Sequence, residues 1–171
     1  MRRLTIDRST QFWAADAAYI PTASGFPHVV IIIELLTRRV LSWTLSSRII
    51  AYFCVDAPRE ARARWGNLDI FGTNQDADCT SAEFSVALGA HQIRVSRDCS
   101  SRLRDNVLME WQWCSRKYED VCLCAHNTIG EACGELADHA GFFSIRYPHV
   151  ALDWRAPDVV HFYAIWFAVA A

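Results

Sequence analysis

The sequence predicts a mixed α/β domain: three antiparallel strands, then shorter parallel strands alternating with helices that cover both faces of a central sheet. Three observations carry this expectation. The run Val29-Val30-Ile31-Ile32-Ile33 is β-branched throughout, as suits a strand buried on both faces. It stands between two further strand-like stretches, Gln11 to Ile20 and Val40 to Leu45. Beyond residue 68, short apolar runs alternate with helix-start signals, of which Thr80-Ser81-Ala82-Glu83 is a capping box.

The elements follow in chain order. Gln11 to Ile20 is closed by Pro21 and the turn Thr22-Ala23-Ser24-Gly25. Arg38-Arg39 separates the second strand from the third, whose apolar and polar positions partly alternate. Residues 51 to 65 place Ala51, Val55, Ala61 and Trp65 roughly in helical register, although Pro58 breaks a helix interior unless the regular part starts near it. Leu68 to Phe71 reads as a strand, Asn74 to Cys79 as a strand-to-helix loop, and the capping box opens a helix to about Ala90. Ile93 and Val95 mark another strand. The polar stretch from Arg97 to Arg104 is an exposed loop, and Asp105-Asn106 caps a helix running to about Tyr118. A last helix is expected from Ile129 to Ala140, and Phe162 to Ala171 is an apolar, sticky tail.

Composition bounds the function. The 171 residues suit one domain, and 52% hydrophobic with 21% charged residues excludes bulk disorder. A formal net charge of -2 supplies no global basic field, so contact with nucleic acid has to come from a local patch. The seven Cys are read as free thiols, because no apolar run follows Met1-Arg2-Arg3 to mark a secretory leader; the expected compartment is cytoplasmic. Cys122, Cys124 and His126 lack a paired C-x-x-C, so zinc is not expected. The longest apolar runs fall short of the ~20 residues that span a bilayer, which excludes a transmembrane segment. Neither a G-x-S-x-G elbow nor an internal repeat is present.

The constellation that carries chemistry is Asp16, Asn74 and Glu110. Asp16 lies mid-strand, position 74 follows another strand, and Glu110 lies one turn inside a helix, with 35 residues between the last two. Carboxylates from three distant segments can cradle the pair of hard, oxygen-seeking ions used in two-metal phosphoryl transfer. With 19 acidic residues many such trios exist, so the surrounding sequence has to discriminate.

The surrounding sequence does so. Trp13-Ala14-Ala15-Asp16-Ala17-Ala18-Tyr19-Ile20-Pro21 resembles the W-x-T-D-I-T-Y-I-P block of bacterial insertion-sequence transposases of the retroviral-integrase type. Ile70 to Ser81 is similar to their I-x-x-T-D-Q-G-S-Q-F-T-S block. Asp105-Asn106-Val107-Leu108-Met109-Glu110 through Lys117-Tyr118-Glu119 resembles D-N-x-x-x-E followed by L-K-x-E. Tyr147-Pro148-His149-Val150-Ala151-Leu152 and Ala156-Pro157 look like their R-P-H-x-A-L and T-P motifs. The resemblance implies a ribonuclease H-like fold over residues 1–162, with 163–171 lacking a counterpart. It implies Asp16 and Glu110 as ligands of Mg²⁺ or Mn²⁺, Asn74 in the second carboxylate's place, and DNA as partner. Lys117, Arg102 and Arg104 are the expected phosphate contacts, the arginines also being explicable as surface charge. A homo-oligomer, or a mixed assembly with active transposases, is the further expected association.

The departures matter as much. Asn74 offers a neutral carbonyl where the family has a carboxylate, so metal binding should weaken and catalysis with it. Asp76, Ala77, Asp78 and Cys79 replace the family's Gly, Ser, Gln and Phe, and for Asp76 or Asp78 to substitute as ligand the loop geometry has to be rebuilt. Nothing before the first motif reads as a helix-turn-helix able to select transposon ends. The sequence therefore reads as an impaired catalytic core, with an inactive DNA-binding or oligomerising remnant as the alternative.

Overall fold

The computed structural model describes residues 6, 8–46, 59–66, 68–73, 93–96 and 126–170; at 16–19, 46, 73, 95–96 and 164–170 it describes the backbone alone. Strands β1 (Phe12–Tyr19), β2 (His28–Glu34) and β3 (Val40–Ser46) come first. A helical segment, α1 (59–65), precedes β4 (Ile70–Thr73) and β5 (Arg94–Ser96). Helix α2 (Ile129–Ile145), a single 3-10 turn (Val150–Leu152) and α3 (Pro157–Ala170) complete the described chain.

The five strands form one sheet in the order β3-β2-β1-β4-β5. β1 pairs antiparallel with β2, and β2 with β3, whereas β1–β4 and β4–β5 are parallel. This is the predicted sheet of three antiparallel strands extended by shorter parallel ones. Six of the seven residues of β2 are buried, which explains its lack of polar alternation: both faces are covered, so the positions from Val29 to Ile33 are all apolar.

The β1–β2 connection is the turn expected at Thr22–Gly25. Thr22 and Gly25 exchange backbone hydrogen bonds of 2.8 and 3.1 Å, and Gly25 adopts φ 133°, a conformation closed to side chains with a Cβ. Across one sheet face, Ile20, Val29, Ile31 and Ile33 pack against Ala132, Leu136 and Phe143 of α2. Those helix residues, with Ala140 and Ser144, recur at three- and four-residue spacing and form one stripe. The Thr128 side chain accepts from the Glu131 N–H at 3.2 Å, and the Glu131 carboxylate accepts from the Asn127 N–H at 2.8 Å, fixing where α2 begins.

Three boundaries differ from the sequence expectation. β4 starts at Ile70, not Leu68, because Leu68 is buried in the approach to the sheet and mimics a strand residue without pairing. Helix α2 continues five residues past Ala140, through Gly141, because Phe143 and Ser144 add burial that outweighs the glycine's low helix propensity. The apolar stretch from Phe162 belongs to α3, which opens at Pro157 with Asp158 in its first turn; that start has the familiar signature of proline at the first helical position. The helical reading of 51–65 holds for 59–65, and the rest of it, like the helices read at 80–90 and 105–118, lies outside the described residues.

Gly134 is exposed on α2, and a Cβ built on it meets nothing within 4 Å. Gly134→Ala is therefore expected to stabilise the protein by about 0.5–1 kcal/mol, read as a raised midpoint in urea unfolding with unchanged slope.

Candidate active site

Asp16 is the fifth of the eight residues of β1 and stands opposite Ile31 of β2. On its other side β1 runs parallel to β4, from Phe12↔Ile70 to Ala15↔Thr73. Asp16 is thus the residue immediately after the last β1–β4 pair, and Asn74 is the residue immediately after Thr73 in the chain. Parallel pairing of strands far apart in sequence brings Asp16 to the edge of the strand pair at which β4 ends with Thr73. In α/β sheets the carboxyl ends of parallel strands are where ligand sites are built.

Of the predicted site residues, Asp16 is described by its backbone. Asn74, Glu110, Lys117, Arg102 and Arg104 lie outside the described residues, as do Asp76 and Asp78. Among the described residues no cluster of His, Cys, Asp and Glu could hold a metal ion, and Cys133 is free. The expected donor set of Asp16, Asn74 and Glu110 offers two carboxylates and one neutral amide oxygen, one negative charge fewer than three carboxylates would offer to a pair of divalent cations.

A second polar cluster lies at the other end of β2 and went unread in the sequence. Glu34 pairs with Trp13, near the start of β1, and is fully buried. Its carboxylate accepts from the Leu36 N–H at 3.1 Å, the Thr37 N–H at 2.7 Å and the Thr37 hydroxyl, closing the β2–β3 turn around Arg38, which sits at φ 65°. Burial pushes the Glu34 carboxyl above its ordinary range, against the pull of these hydrogen bonds and of Arg38. Thr37 Oγ1 is 3.1 Å from His161 Nδ1 on α3, and both residues are fully buried. Beside them the Arg39 guanidinium lies 2.8 Å from the Asp158 carboxylate and sits over the rings of Trp65 and Phe162, 4.4 and 4.5 Å from their centroids. The available signal was Glu34 itself, the lone charge in the otherwise apolar run Val29 to Leu36.

His149 is buried between Phe143 and Tyr147 at ring-centroid distances of 4.7 and 5.2 Å. His126 is buried as well, its carbonyl accepting from the Ala23 N–H at 2.8 Å, which ties the entry to α2 to the β1–β2 turn.

No protein-family model matches the chain. Among curated proteins it is 31% identical to the transposase InsF of insertion sequence IS3A from Escherichia coli K12, over 114 residues that make up 65% of this chain and 39% of that one. It is 24% identical to the transposase of insertion sequence element IS904 from Lactococcus lactis over 148 residues, 85% of this chain and 58% of that one. The chain therefore spans less than two thirds of the length of these relatives. Among solved structures, the catalytic core domain of BIV integrase aligns with TM-score 0.70 at 8% identity, covering 94% of this chain and 99% of that one. The HTLV-2 integrase catalytic core domain in complex with magnesium, in a dimeric form, aligns with TM-score 0.66 at 10% identity, covering 90% and 97%.

The fold is ribonuclease H-like and similar to that of these integrase catalytic cores. In sequence the chain is similar to insertion-sequence transposases over part of their length. No helix among its described residues is long and apolar enough to cross a membrane.

Proposed function

We propose that this chain is the catalytic-core part of a DNA transposase whose strand-cleaving and strand-joining chemistry is impaired at Asn74. The observation that supports this reading most directly is the β1–β4 register, which ends at Ala15↔Thr73 and so carries Asp16 and the chain entering position 74 side by side. Asp16 and Glu110 are read as the surviving carboxylates. When bound, divalent cations supply charge stabilisation at the phosphoryl group under attack, and with Asn74 in place of a carboxylate the chain holds them weakly.

DNA contact is assigned to Lys117, Arg102 and Arg104, acting on backbone phosphates without reading sequence. The test is fluorescence anisotropy of a labelled duplex titrated with the chain across a salt series. Three phosphate contacts predict a log–log salt slope of about -2.7, and replacing all three residues by Ala is expected to bring it near zero. Absence of affinity at low salt would sink the DNA-binding reading altogether.

A second reading is supported by the large apolar side chains left exposed on α2 and α3, namely Phe142, Ile145, Val159, Phe162 and Tyr163. On it the chain is an inactive remnant that associates with copies of itself or with active transposases. Salt-dependent DNA affinity with no metal-dependent cleavage, even after Asp is restored at position 74, distinguishes this remnant from a core disabled at one ligand.

A further inference from the structure

We propose that Glu34, Thr37 and His161 form a buried, acid-sensitive latch that docks the C-terminal helix α3 onto the β2–β3 turn. All three side chains are fully buried, and they join elements 124 residues apart in sequence through one chain of hydrogen bonds. The direction of that chain follows from counting hydrogens. The Thr37 hydroxyl has a single proton and donates it to the Glu34 carboxylate, so Thr37 Oγ1 accepts from His161, and His161 carries its proton on Nδ1. That tautomer leaves Nε2 as a bare lone pair, and Nε2 is buried with no hydrogen-bond partner among the described residues. The ring meets the Trp65 ring at 5.5 Å and the Phe162 ring at 5.6 Å, both edge to face, and neither offers it a carbonyl or carboxylate oxygen.

A second proton on His161 has nowhere favourable to go. It would place an unpaired N–H and a positive charge in an apolar box, next to the Arg39 guanidinium. Among the described residues, the charged groups near the ring bear on this. From the turn, Arg39 adds positive charge beside it, while Arg38 acts on Glu34. From α1, Arg64 adds more, its effect reaching Arg39. Asp158, on α3 itself, is engaged by Arg39, and Glu34 faces the ring only through Thr37. Burial first, and Arg39 second, accordingly push His161 down to about 4, from 6.5 in the unfolded chain.

The sign follows. A base whose pKa is depressed on folding contributes its full stability above about 6.5 and loses it as the pH falls towards 4. Glu34, raised from 4.5, works the other way, favouring the docked state most once protonated and losing that contribution as the pH rises through its folded value. Glu34 therefore opposes the acid response of His161. The helix is held at neutral pH and let go in mild acid, because protonated His161 is stable only where water can reach it.

The test is amide hydrogen exchange of residues 157–163, corrected for intrinsic pH dependence, in the whole chain and in His161→Asn. Asn places an N–H donor where Nδ1–H stands and does not titrate. The chain is expected to lose protection in α3 by roughly tenfold or more between pH 6.5 and 4.5, with α2 and β2 still protected and His161→Asn flat. Protection of α3 that is independent of pH, or that falls equally in His161→Asn, overturns the proposal. Should His161→Asn not fold, nitrogen NMR of the His161 ring in the unmodified chain decides. A proton on Nδ1 and a midpoint near 4 support the latch, while a proton on Nε2 or a midpoint near 6.5 overturns it.

Discussion

Restoring the carboxylate, Asn74→Asp, is expected to raise metal-dependent nicking and strand transfer by more than ~100-fold over the unmodified chain, which should be silent. The magnitude rests on ligand chemistry. Loss of a partner that merely orients a metal ligand costs about 10–100-fold in affinity or activity. Position 74 stands where the resemblance puts a ligand itself, and Mg²⁺ tolerates little error in the charge or placement of its oxygens. The assay pairs the unmodified chain with Asn74→Asp and Glu110→Gln on plasmid DNA in Mg²⁺ or Mn²⁺. Calorimetric titration with Mn²⁺ gives a second readout that needs no DNA ends. Activity in the unmodified chain that vanishes in Glu110→Gln would falsify the assignment of impairment to Asn74 and point to Asp76 or Asp78. Silence in all three proteins, with no gain in Mn²⁺ affinity for Asn74→Asp, places the damage beyond one ligand.

Leu136→Ala is expected to destabilise the fold by roughly 2–5 kcal/mol. Leu136 is fully buried at the centre of the stripe by which α2 covers Ile20, Val29, Ile31 and Ile33, with Ala132 and Phe143 on either side along the helix. Removing its branched end opens a cavity among strand residues whose backbones are fixed by pairing on both sides, so collapse around it is limited. For a chain of this size the loss corresponds to a fall of about 4–20 °C in melting temperature. Ile145→Ala, on the same helix but 59% exposed, serves as the control and should move stability by less than about 0.5 kcal/mol. Equal, small effects at both positions would mean that α2 does not dock through this stripe.

These two experiments probe different layers of what the sequence makes legible. The β-branched run Val29 to Ile33 announces a strand buried on both faces because nothing else tolerates five consecutive stiff, apolar side chains. The Thr22–Gly25 turn and the Thr128 cap are equally local: a glycine at positive φ and a hydroxyl three residues before a glutamate act within one turn of chain. The start of α3 at Pro157 was legible in the same way and was missed, because the apolar composition after Phe162 masked the helix that contains it.

What the sequence by itself determined is the list of strands, the turn and cap chemistry, the motif blocks that resemble insertion-sequence transposases, and the substitution at Asn74. Each is a property of neighbouring residues or of residue identity. Tertiary structure alone decided that β4 lies beside β1, in the register that puts Asp16 directly after the last pair with Thr73. It alone decided that α2 runs through Gly141, and that Thr37, held by Glu34 three residues away, meets His161 from across the chain. The physical reason is common to all three. Strand pairing, burial of the last turn of α2 and the Thr37–His161 hydrogen bond depend on partners tens of residues away, and no local propensity encodes which distant partner will arrive.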